Sequence, residues 1–169
     1  MAIRDILCEP DVRLKQISQT VTTLVPQTKQ NIQDLIETFN SAPGVGIAMP
    51  QIGILERIVI IDATRQTRIK EKFQGQLILI NPVIVQKEGA QLFREGCLSV
   101  PEYTGYVQRF EKIKVKAFDT DMHEKEYEFN GFESVIAQHE MDHLDGVLFI
   151  DRVISSGQLF RRKQAPPVP

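Results

Sequence analysis

The sequence is short of cysteine and histidine, has no long apolar run and has no excess of charge of either sign. Its two cysteines, Cys8 and Cys97, are too few for a disulfide scaffold. They point instead to a reducing compartment, where a free thiolate can serve as ligand or nucleophile. The opening "MAIRDILCEP" lacks the apolar stretch of a secretory signal, and no later segment is apolar for long enough to span a bilayer. A formal net charge of −2 excludes a strong field drawing the chain to nucleic acid or an anionic membrane. The only basic cluster, Arg161-Arg162-Lys163, leads into "QAPPVP" and reads as a solvated end rather than an RNA contact. Neither an internal repeat nor a linker interrupts the chain before it.

What remains is an ordinary globular composition, 42% apolar and 25% charged. A chain of 169 residues is long enough for one substantial core. The expected organisation is a single catalytic domain over residues 1–160 and a short basic, Pro-rich flexible tail over 161–169.

Residues 26–42 read as a first helix, with Ile32, Leu35, Ile36 and Phe39 at helical spacing and Pro26 at its start. "PGVGIAMPQIG" carries too many glycines and prolines for a long element and reads as a loop or irregular edge segment. "ERIVIIDA" (56–63) and "QLILINPVIV" (76–85) are strand-like, the second bent or broken at Asn81-Pro82. "KIKVKAF" (112–118) and "EKEYEF" (124–129) alternate polar and apolar around a turn at "DTDMH", and 131–144 forms a second helix. This order predicts an α+β fold, with antiparallel or mixed sheets packed around a central helix.

That helix carries His139-Glu140-Met141-Asp142-His143. Positions i and i+4 share a face, so both imidazoles can reach one metal ion with the glutamate beside them. The chain has only three histidines, and this motif takes two. Phe132, Val135, Ile136, His139 and His143 fall on one face that should be buried, and two buried histidines need partners. The competing reading is a charged surface helix with incidental histidines.

A catalytic site of this kind usually has three protein ligands. The pattern that would supply a third histidine ends here on Phe149. Asp145 should point off the ligand face, and Asp151 lies in "DGVLFIDR", which reads as an exit strand with a structural aspartate. Cys97, in "REGCLSVPEY", is favoured on chemical grounds, because thiolate and imidazole combine around a soft or borderline metal. An inert buried thiol is the alternative.

Three stretches then stand in order: "GVGIAMPQ" (44–51), "EGCLS" (95–99) and "QHEMDHLDG" (138–146). Together they resemble the peptide deformylases, and "PDVRL" (10–14) and "GVLFIDR" (146–152) extend the likeness over nearly the whole chain. There are two departures. Met49 stands where the family loop usually has a second alanine, and the tail is short where many members have a C-terminal helix.

The resemblance implies a metallo-amidohydrolase acting on linear amides, which removes the N-formyl group from the initiator methionine of newly made proteins. It assigns one divalent metal to Cys97, His139 and His143, with ferrous iron as the physiological ion and zinc or nickel as substitutes. It makes Glu140 the general base, with the Gln51 side chain and the Leu98 backbone N–H as donors to the oxyanion. Val45, Gly46, Phe132, Val135 and Ile136 are the expected substrate-binding residues. Glu95 is expected to pair with Arg109, with Asp142 as the other possible partner of the arginine. The implied partners are N-formylmethionyl nascent peptides, with at most transient ribosome contact, no membrane and no specific nucleic acid. The implied location is the bacterial cytoplasm, or an organelle matrix or stroma after loss of a transit peptide.

Overall fold

The structure is a computed structural model describing residues 2–163. Its elements are α1 (Pro26–Ser41), β1 (Gly46–Ala48), β2 (Ile58–Ile61), β3 (Leu77–Glu88), β4 (Gln91–Cys97), β5 (Val100–Arg109), β6 (Lys112–Phe118), β7 (Glu124–Asn130), α2 (Gly131–Leu144) and β8 (Leu159–Arg161). Two antiparallel sheets form, a five-stranded one in the order β1-β2-β3-β6-β7 and a three-stranded one in the order β4-β5-β8. The expected α+β class is therefore the observed one. Among the described residues no helix is long and apolar enough to cross a membrane.

Strand β2 shows why the five-stranded sheet is covered on both faces. All four of its side chains are buried. Val59 and Ile61 pack with Ile136, Ala137, Met141 and Leu144 of α2. Ile58 and Ile60 pack with Leu35 and Phe39 of α1. Alternate residues of a strand point to opposite faces, so an unbroken Ile-Val run belongs between two apolar layers. Each such side chain contributes about 1.5–3 kcal/mol by leaving water. A third cluster, with Leu14, Val100, Val107, Leu148 and Phe149, lies under the three-stranded sheet.

Asn81-Pro82 bends β3 without ending it. Asn81 takes a left-handed φ of 51° and the register with β6 shifts between Ile80 and Val83. Its side chain compensates by accepting from Val21 N–H at 2.8 Å and donating to Val21 O at 2.7 Å.

One reading needs correction. "DGVLFIDR" is not a strand: Phe149–Asp151 is a turn of 3-10 helix, and Asp151 accepts from Leu148 N–H at 2.8 Å and pairs with Lys15. The expected face of helix α2 is buried at Val135, Ile136 and His143, and Glu133, Ser134, Gln138 and Asp142 are buried and bonded as well. The β4–β5 hairpin, which includes Cys97 and Arg109, carries no clear strand pattern in the sequence. In the expected tail, Arg161 pairs with Tyr103 in β8 and Arg162 N–H donates to Glu102 O at 2.7 Å. Residues 164–169 lie outside the described residues.

Candidate active site

Each sheet contributes an edge to the site, and α2 runs between them. The edge strand β1 presents Gly46, Val45 stands just before it, the end of β4 presents Cys97, and α2 presents His139, Glu140 and His143. A cavity of about 380 Å³ opens there. Val45, Gly46, Gln51, Cys97, Leu98, Phe132, Val135, Ile136, His139 and Glu140 all line it.

The donor atoms of Cys97, His139 and His143 lie within 4.8 Å of one another. Cys97 Sγ is 3.3 Å from His143 Nε2. The His139 Nδ1–H donates to Glu95 Oε1 at 2.7 Å, which leaves Nε2 facing the thiol. Burial holds His143 well below the usual imidazole range, in the neutral form that ligates. Burial also pulls on His139, but hydrogen bonds to Cys97 and Glu95 outweigh it and raise its pKa. A sulfur and two imidazole nitrogens make a donor set that fits a borderline divalent metal. Asp145 and Asp151 are absent from this group. Asp145 ends α2 and pairs with Arg57 at 2.9 Å.

Glu140 is buried, and its Oε2 has no hydrogen-bond partner among the described residues. Burial pushes its carboxyl up to about 7. Gly46 makes room for it, since a Cβ on residue 46 would lie 2.7 Å from Glu140 Cγ.

Behind His139, Arg109 grips Glu95 through Nε at 2.7 Å and Nη2 at 2.9 Å, and Asp142 through Nη1 at 2.6 Å. Both expected partners of the arginine are therefore used. Arg152, which sequence reasoning missed, adds two donors to Asp142 at 2.6 and 2.9 Å. Two carboxylates and two guanidiniums thus balance behind the helix. Burial raises the Glu95 carboxyl, but Arg109 and His139 outweigh it and hold it down at about 2.

Gln51 is fixed at both ends. Its Oε1 accepts from Ala48 N–H at 2.8 Å and its Nε2 donates to Ser99 Oγ at 3.0 Å, lying 3.7 Å from Cys97 Sγ. Ser99, also missed, sits in the same short motif as Cys97. Met49 is fully buried with Ile47, Ile58 and Phe39 and takes no part in the cavity wall.

This arrangement, an HExxH helix with an upstream cysteine beside it, is one that could hold a metal ion, as in a metalloenzyme. The match to the polypeptide deformylase family model covers residues 3–158, and the chain belongs to that family. It is 40% identical to the peptide deformylase of Thermodesulfovibrio yellowstonii over 164 residues, 96% of this chain and 97% of that one. Its structure is similar to the crystal structure of a peptide deformylase from Legionella pneumophila, with a TM-score of 0.82, 39% identity, and 90% of this chain and 86% of that one covered. It is also similar to a Met-Ala-Ser-bound class I type b peptide deformylase from Acinetobacter baumannii, with a TM-score of 0.82, 31% identity, and 90% and 99% covered. The activity is removal of the N-formyl group from the initiator methionine of newly made proteins.

Proposed function

We propose that Cys97, His139 and His143 hold one divalent metal ion, ferrous iron in the cell with zinc or nickel able to replace it, and that Glu140 is the general base. The observation that carries this reading is the convergence of three donor atoms beside a buried, unpartnered carboxylate. When bound, the ion makes water more acidic and polarises the formyl oxygen.

Formyl-methionine enters with its side chain against Val45, Phe132, Val135 and Ile136, an apolar wall suited to a thioether. The peptide backbone pairs with Gly46 on the free edge of β1. The Met-Ala-Ser bound to the Acinetobacter enzyme supports a short peptide as the ligand. Glu140 takes a proton from water as its oxygen attacks the formyl carbon. The Gln51 amide, by turning its second N–H away from Cys97 Sγ, and the Leu98 N–H donate to the oxyanion as charge develops. The C–N bond then breaks, Glu140 passes the proton to the departing amine, and formate and a free amino terminus are released.

Residues 1–160 act as one catalytic domain in this reading. Residence in a bacterial cytoplasm, or in an organelle matrix or stroma, and transient ribosome contact belong to it through the family resemblance.

The test is formate release from formyl-Met-Ala-Ser by anaerobically purified protein, with metal content measured alongside. Glu140→Ala keeps the metal and loses turnover. Cys97→Ser loses both, and Cys8→Ser loses neither. Full activity in Glu140→Ala removes the general-base assignment, and cleavage of internal peptide bonds alone removes the deformylase reading.

A further inference from the structure

The cavity wall holds two cations that the hydrolysis does not use, Arg94 and Arg162. Arg94 stands in β4, two residues before Gly96. Its Nε donates to Thr104 Oγ1 at 3.0 Å and its guanidinium lies 4.5 Å above the Phe160 ring. Arg162 follows β8, anchored through its backbone to Glu102. The Arg162 guanidinium rests against Gly96, in the space a side chain on that residue would fill. Gly96 adjoins Cys97, so this charge stands at the threshold of the three-donor group.

Neither guanidinium makes an ion pair with a carboxylate among the described residues, and the buried Arg162 Nε has no hydrogen-bond partner there. The neighbouring Glu95 is already taken by Arg109 and His139. An arginine held by its backbone, partly desolvated and without an anion, is disposed to bind one. With methionine in the apolar pocket, the group that reaches this rim is the peptide itself, each extended residue covering about 3.3 Å.

We propose that Arg162, with Arg94 beside it, binds a carboxylate carried by the substrate downstream of formyl-methionine and so sets a preference for acidic peptides. The proposal rests on the deformylase reading above. The carboxylate is an Asp or Glu side chain or a free C-terminus.

The experiment compares kcat/KM of the metal-loaded protein on formyl-Met-Ala-Ser-amide, formyl-Met-Ala-Asp-amide and formyl-Met-Ala-Ser free acid. A carboxylate raises kcat/KM by about five- to tenfold through KM, and the gain shrinks with added salt. A gain confined to the free acid assigns the C-terminal source, and one confined to the Asp peptide assigns the side chain. Arg162→Gln brings the charged-to-neutral ratio to about one, and Arg162→Lys keeps part of it. Equal rates on all three peptides, or an unchanged ratio in Arg162→Gln, overturn the proposal.

Calorimetry with the unformylated peptides separates the two readings. If no formyl peptide is hydrolysed but Met-Ala-Asp-amide binds more tightly through Arg162, the deformylase reading fails and the anion site stands. Binding with no preference overturns the site.

Discussion

Gly46 and Glu140 are in direct contact, the backbone of an edge strand lying against the carboxylate of a buried helix. Both residues line the cavity, so in the proposed reading the glycine that offers its backbone to the peptide also shapes the position of the base. Gly46→Ala therefore displaces Glu140. The expected result is a fall in kcat of about 10²–10³-fold with metal content unchanged, read by formate release and metal analysis on the same preparation. Wild-type turnover in that variant would mean that Glu140 has slack to move.

Glu95 holds His139 on one side and Arg109 on the other. Glu95→Gln leaves a buried guanidinium short of charge and the His139 imidazole, a ligand in the proposed reading, without its carboxylate. Stability should fall by about 3–5 kcal/mol in urea unfolding. Metal affinity should fall about 10–100-fold in competition with a chelator.

Asp34 anchors the N-terminal segment, accepting from Ala2 N–H at 3.0 Å and from Arg4 Nε at 2.9 Å. Burial works to raise its pKa, but Gln30, Arg4 and Ala2 hold it below the ordinary 3.8. The folded pKa lies below the unfolded one. Its contribution is therefore complete above pH 3.8 and is lost as pH falls through the folded value. Comparing urea midpoints at about pH 6 and about pH 3, Asp34→Asn should lose less stability on acidification than wild type. Parallel losses would assign the acid sensitivity elsewhere.

Met49 fills core space rather than pocket space. Met49→Ala, although it restores the residue usual in the family, should cost about 2–5 kcal/mol and lower Tm by roughly 4–20 °C. The folded variant should keep kcat/KM within about threefold, because Gln51 is held by Ala48 and Ser99 rather than by Met49. A large loss of kcat with Tm unchanged would reverse that assignment.

Helix α2 and strand β6 were legible to the residue, and β7 to within one, because periodicity and a turn signal agree over short distances. The β4–β5 hairpin was not, since Gly96, Pro101 and Gly105 break the alternation that marks a strand. "DGVLFIDR" looked extended from its apolar residues. Gly146, at a φ of 70° against the backbone of Lys15, and the Asp151 side chain instead fold it into a tight turn. At the site, residues within short motifs could be placed from the sequence. Arg152 and Arg162 could not, because their roles depend on contacts made across the fold, which no local pattern records.

Lys15 and Asp151 are joined although 136 positions separate them. Leu7 N–H meets Gln51 O at 2.8 Å, Glu9 N–H meets Ser99 O at 2.8 Å, and Ser18 N–H meets Leu144 O at 2.8 Å. The walls of the site are thus tied to the first eighteen residues, while the helix of histidines emerges from the ribosome more than a hundred residues later. Such long-range closure is slow to form. It also imposes an order of events: an enzyme that trims nascent chains has no working site while it is itself one.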